Sequence, residues 1–400
     1  MKKYLILISG IAIQMILGSI YAWSELAILF GTQFGLNSVQ TQSIYGVAIG
    51  VFAAGTIPAG RLLRKFGPRV LTLCSALLFA GAYALAGFAG DSYPLVFIAL
   101  GPMLGIAIAA GYVVPLSTAT SWFPQIKGTV TGLAVMGFGG GAILAAFVVR
   151  SLGASGMGLS SLLTVIGLGG GVVLVIAALI QKYPDEVWWS FKTGSVKHLR
   201  IAEVVVRTDF WVLYGTMFLA TLGGLLIIGS IGAIGRDFSM GNAAALGVSF
   251  LALGNSTGRL IWGSLMDKLG QKAIPLSLAV MSGGFLLLLI SPGIAGGQVL
   301  FLIAVVITGF QFGASLVLYG AFTERHFGSG AISTVYPLIF TAYGLAALVG
   351  PAVGGMIYDA LGSYQQIVGI MVAVPILALL LFAARFNGRR QFLVAREEPG

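Results

Sequence analysis

Runs of about 20 apolar residues recur from one end of this chain to the other, and that recurrence limits its folds more than any other feature. A helix needs about 20 such residues to cross the roughly 30 Å hydrocarbon core of a bilayer. Backbone in hydrocarbon must satisfy its own N–H and C=O groups, which helices and closed barrels alone can do. Twelve runs meet the length, near 5–30, 43–63, 69–91, 94–121, 127–149 and 159–181, then 209–234, 241–265, 273–291, 297–323, 330–355 and 364–385. Only 8% of the residues are charged, against about 25% in soluble domains. The expected fold is therefore all-α, with twelve transmembrane helices. The longest polar interval, 182–208, divides the chain into a six-helix bundle over 1–181 and another over 209–400, the second ending in a short tail.

The net charge of +10 raises the question of nucleic acid, and its distribution answers it. With an even number of spans both termini share one side. All but three of the 22 Lys and Arg residues then fall on that side. Arg150 and Arg236 lie opposite and Arg259 lies within a span. Basic loops stay cytoplasmic, so the expected placement is multi-pass in the plasma (inner) membrane with both termini and the 182–208 loop in the cytoplasm. The basic excess is a topology signal, with contact to anionic lipid as a secondary effect, and no nucleic-acid partner is expected. The start MKKYLILISG is signal-like, but the apolar run continues past Phe30 without a small-residue cleavage pattern and reads as a retained first helix. The one cysteine, Cys74, reads as inert packing. His198 and His326 fall in expected loops, so no metal site and no cofactor are expected.

The chain repeats itself. GRLLRKFGPR (Gly60 to Arg69) recurs as GSLMDKLGQK (Gly263 to Lys272) at an offset of 203, and FPQIKGTVTGLAVMGFGGGA from Phe123 matches the stretch from Phe327, bringing Phe138 onto Tyr343. Parallel six-helix repeats are related by an axis along the membrane normal, with a ligand site near the midplane between them.

One residue breaks the apolar pattern. Arg259 lies inside the eighth run, where a guanidinium costs roughly 2.5–3.5 kcal/mol on insertion scales and keeps its charge. Asp267 marks the end of that run, eight residues or about 12 Å away, too far for comfortable snorkelling. Asn255, one turn earlier, shares its face. The partner of Arg259 by the 203 offset is Thr56, so the charge belongs to one half only. An arginine fork matches a carboxylate, and Arg259 is the expected centre of an anion site.

The repeated loops resemble the signature G-x-L-x-D-R/K-x-G-R/K-R/K of the major facilitator superfamily. The second copy matches at Asp267, Lys268 and Gly270, while the first has Arg64 in the acidic position. GSIYAWS (Gly18 to Ser24) and GNSTGRLIWG (Gly254 to Gly263) resemble the oxalate/formate antiporter and monocarboxylate transporter group. The resemblance implies two pseudo-symmetric six-helix bundles, alternating access, and Arg259 as carboxylate ligand. In the monocarboxylate transporters the position of Asn255 is commonly an acid used in proton coupling. Oxalate-transporting relatives place a lysine in a T-A-K-G stretch, which here reads Thr341, Ala342, Tyr343, Gly344. One fixed charge suits one carboxylate.

The expectation is a non-enzymatic secondary transporter, monomeric in the bilayer, of a monocarboxylate such as lactate, pyruvate or formate. Proton-coupled symport is the first reading, with oxalate/formate-type exchange of anions as the alternative. By resemblance Tyr112 reaches the substrate. Phe310, Gln311, Tyr336, Phe340 and Tyr343 are candidates for an aromatic cavity, and Gln14 and Tyr21, seven apart, for the same path. Ordinary helix packing explains each of these side chains equally well. Glu25, the one acid inside a first-half span, reads as a solvated helix-end acid or a coupling group. The G-x-G patterns in 137–141 and 167–171 lie in apolar helices with no preceding strand and read as close packing. Trp188 and Trp189 read as an interfacial anchor.

Overall fold

The computed structural model describes residues 2–123, 127–188, 201–327 and 335–386. The first crossing is α1 (Lys2–Leu17) and α2 (Trp23–Phe34), joined by a 3-10 turn, Gly18–Ala22. Asn37 then caps α3 (Ser38–Ala89) by accepting from the Gln40 N–H, while the Gln40 side chain accepts from the Asn37 N–H. This reciprocal cap satisfies donors that a helix start leaves open. The fourth crossing is α4 (Tyr93–Ile98), a π-helical turn (Ala99–Met103) and α5 (Leu104–Trp122). The first half ends with α6 (Lys127–Ala154) and α7 (Leu159–Ile180). After the short α8 (Ile201–Val205) come α9 (Thr208–Asp237), α10 (Asn242–Leu269), α11 (Ala273–Ile290), α12 (Gly297–Phe327), α13 (Tyr336–Leu361) and α14 (Gln365–Phe386).

Ten of these stretches are long and apolar enough to cross a membrane. Two further crossings follow from the geometry. α3 is two crossings joined end to end, broken at Gly67 (φ 84°, ψ 168°), and α10 is the arginine-bearing eighth span. The expected runs 43–63 and 69–91 are thus one element with a hinge. The eleventh span begins at Tyr336, and the expected residues 330–334 lie outside the described ones, as do parts of the 182–208 joint, including Trp189 and His198.

The duplication is visible in the backbone. Gly67 in the first repeated loop and Gly270 in the second both take positive φ, 84° and 58°, with ψ of 168° and −136°, an extended region that favours glycine because a residue with a Cβ is strained there. Gly156 and Gly362, after the fifth and eleventh crossings, also have positive φ, 80° and 70°. The loop at Gly67 is covered by Trp188, whose ring stacks on Tyr183. Trp188 therefore packs on the first repeated loop.

The halves meet along two seams. In one, α3 packs on α13 so closely that a Cβ on Gly46 would lie 2.5 Å from the Ala347 carbonyl. In the other, α6 packs on α10, with Gly139 against Ser256. Small residues let membrane helices approach at backbone distance, where dispersion replaces the missing hydrophobic drive. The outside of the bundle is apolar, with Leu77, Phe88 and Phe147 exposed, as a lipid-facing surface requires. Cys74 faces this surface too, which corrects its assignment to packing. At the face of the repeated loops, Asp209 on α9 binds Arg385 of α14 at 2.6 Å and His326 of α12 at 3.1 Å. His326 thus ends a helix rather than sitting in a loop.

Candidate anion-binding site

Arg259 is 1% exposed and sits between the halves. Its Nε donates to Asn255 Oδ1 at 3.1 Å, one turn back on α10. Its Nη1 donates across the interface to the Val135 carbonyl of α6 at 3.0 Å. Arg259 Nη2 and Asn255 Nδ2 are buried and have no partner. A buried donor left unpaired costs about 1–3 kcal/mol, more when charged. The guanidinium lies over the rings of Phe138 and Tyr21, 5.7 and 6.0 Å from their centroids. Cation–π attraction contributes about 0.5–2 kcal/mol there, too little to replace hydration of the charge.

Around Arg259 the rings form a box lined by Tyr21, Phe52, Tyr112, Phe138, Leu316, Phe340 and Tyr343. The rings close on one another and leave no room for a water molecule between them. The first half supplies Tyr21, Phe52, Tyr112 and Phe138, and the second supplies the rest. Tyr21 and Tyr343 join the halves through their hydroxyls, 2.9 Å apart. The broken helices build this box. The 3-10 turn carries Tyr21, and α5, which carries Tyr112, starts at the π-helical turn. Departures from α geometry inside long helices are frequent at functional sites.

Of the residues expected at the site, Arg259, Tyr112, Tyr21, Phe340 and Tyr343 line the box and Asn255 holds the arginine. The others lie elsewhere. Gln14 is fully buried within the first half, donating to the Tyr112 carbonyl at 3.2 Å. Phe310 packs on Trp262, with its backbone against Gly258. Gln311 is buried and does not line the box. Tyr336 stands behind Phe340 and donates to the Leu316 carbonyl. Glu25 is ion-paired with Arg150 at 2.5 Å, so it is neither free nor at the box. Phe52 and Phe138 are box residues that sequence reasoning did not place there.

A second cavity, of about 170 Å³, opens at the face away from the repeated loops. Its lining includes Ser24, Thr41, Gln42, Arg236, Tyr358 and Tyr364. Gln42, which also donates to the Gly229 carbonyl of the other half, Tyr45 and Phe52 follow one face of α3 at i, i+3 and i+10. That stripe leads from the cavity to the box.

The family model described as Major Facilitator Superfamily matches residues 5–348, most of the chain. The chain belongs to the Major Facilitator Superfamily. Among relatives of this superfamily member, the oxalate:formate antiporter of Oxalobacter formigenes is 28% identical over 379 residues, covering 90% of this chain and 86% of that one. The uncharacterized MFS-type transporter YhjX of Escherichia coli (strain K12) is 26% identical over 354 residues, covering 86% of each chain. The structure of the nucleoside transporter NupG superposes with a TM-score of 0.72 at 13% identity, over 95% of this chain and all of that one. That likeness concerns the fold alone. The protein is an integral, multi-pass membrane protein of this superfamily, with the facilitator fold of two six-helix bundles.

Proposed function

We propose that the protein moves a small monocarboxylate, of the size of formate, pyruvate or lactate, across the plasma membrane by alternating access around Arg259. The observation that carries this reading is a fully buried guanidinium at the interface between the halves, with two unpartnered donors, Arg259 Nη2 and Asn255 Nδ2, beside it. A carboxylate supplies acceptors for both and neutralises the charge. Charge-assisted bonds of this kind are roughly twice as strong as neutral ones. Among the residues lining the box Arg259 carries the only charge, which matches one carboxylate. Both termini and the repeated loops face the cytoplasm in this reading, and the cavity at Arg236 is the outer approach.

Coupling follows from the same charge. Closing the halves around an unneutralised guanidinium dehydrates it, so reorientation is easier with an anion aboard. No carboxylate lines the box, and Glu25 is engaged by Arg150, so the site has no acid of its own to carry a proton. Exchange of anions is therefore favoured over proton symport, and the similarity to the oxalate:formate antiporter supports exchange. The test is uptake of labelled pyruvate into proteoliposomes with and without internal unlabelled pyruvate. Exchange should exceed net uptake, fall on the order of 100-fold in Arg259→Ala and partly recover in Arg259→Lys, as expected when one partner of a buried charge-assisted contact is lost. Unchanged exchange in Arg259→Ala would overturn the assignment. Uptake that needs an inward proton gradient and no internal anion would replace exchange by symport.

A further inference from the structure

The planes of the box rings point to a filter for flat substrates. Tyr112 and Phe340 come from opposite halves, lie within 12° of parallel and have centroids 6.4 Å apart. Phe52 stands across both, at 71° to Tyr112 and 77° to Phe340. Phe138 is within 26° of Phe52 and at 84° to Tyr112. Two parallel walls thus face each other, closed along one side by rings at right angles. A planar group between two ring faces needs about 7 Å, two carbon contacts of about 3.5 Å each. The centroid separation is the upper bound on the gap between the faces, so the slot falls short of this by at least about half an ångström.

Because one wall belongs to each half, slot width is set by how closely the halves approach. We infer that the protein translocates carboxylates whose heavy atoms are coplanar, such as 2-oxo and 2,3-unsaturated acids, and discriminates against those with a tetrahedral C2 bearing two substituents. This rests on Arg259 as the anion ligand. With one substituent in the carboxylate plane, a tetrahedral C2 throws the other out of it by roughly 1.2 Å, given bond lengths of about 1.5 Å. It holds Tyr112 and Phe340 apart and keeps the halves from closing. Discrimination falls on translocation more than on binding, since the open site meets both shapes with the same charge.

Two pairs of equal heavy-atom number test this in proteoliposomes, pyruvate against lactate and methacrylate against isobutyrate. The second pair has no polar substituent, so hydrogen bonding cannot account for a difference. The planar member should exchange about tenfold faster, within the range by which small shape differences are sorted in apolar pockets. The tetrahedral member should compete for uptake at similar concentration. Phe340→Ala removes a wall and should bring both rate ratios toward one, and Tyr112→Ala tests the opposite wall if the first variant does not fold. Equal exchange rates within both pairs, with competition intact, would overturn the slot and leave the anion site standing. Loss of both exchange and competition for all four acids would overturn the two together.

Discussion

Arg259 is held by an amide where a carboxylate would have neutralised it. Asn255 orients the guanidinium through its Oδ1 and leaves the charge free for a ligand. Asn255→Asp should reverse this. The new carboxylate pairs with Arg259 and competes with substrate until it is protonated. Pyruvate binding should be weak at neutral pH and strengthen as pH falls, the opposite of any loss through protonation of the substrate itself. Binding curves at stepped pH check this, and a pH-independent affinity equal to the parent's would refute it. Tyr343 is the second telling position. Tyr343→Lys puts a second cation in the box, so oxalate should gain on pyruvate in competition assays. Oxalate should also raise the variant's melting temperature more than the parent's. An unchanged preference would undo the one-charge account. The burial of Arg259 beside Asn255 was legible in the sequence because a charge in an apolar run has few explanations. Phe52 and Phe138 were not, because a chain with 25 phenylalanines gives no local sign of which face the midplane. The repeat held a clue, since the offset of 203 that pairs Thr56 with Arg259 also pairs Phe52 with Asn255. Gln14, Phe310 and Tyr336 show the converse limit. Helical spacing tells which residues share a face, but not whether that face meets the box or its own half.

Among the elements, the α3–α13 seam governs access from the face away from the repeated loops. Gly46 lies against the Ala347 backbone, and Val39 N–H donates to Asp359 near the end of the seam. A side chain at Gly46 cannot be absorbed by a rotamer change, because its contact is backbone. Gly46→Leu should force α3 and α13 apart and expose the stripe below the Arg236 cavity. In a Cys74→Ser background, labelling of Gln42→Cys by a membrane-impermeant maleimide should rise several-fold, while exchange falls. Unchanged labelling would mean that the seam is not the closing surface. The Gly67 hinge was readable from the repeated loop motif, since a fixed glycine between basic residues implies a turn. The 3-10 and π turns were not readable, because their hydrogen bonds shift by one residue without any change in apolar pattern.

At the scale of the molecule, helix number and duplication were legible because the bilayer imposes span length and cross-membrane hydrogen-bond closure on every sequence alike. How the two halves share one box was not, since it depends on which small residues meet across the seams. The structure holds a buried guanidinium with an unpartnered nitrogen on the surface where the halves meet, and in the proposed function an anion bound there links the two bundles. Titration of the purified protein with pyruvate, followed by calorimetry and by thermal unfolding, compares the parent with Arg259→Gln most directly. The parent should bind saturably and gain about 2.7 kcal/mol at a hundredfold excess over Kd. The variant should stay folded, melting no lower than the unliganded parent because a costly buried charge is gone, and should show no pyruvate-dependent shift. Equal binding and equal shifts in the two proteins would contradict the account.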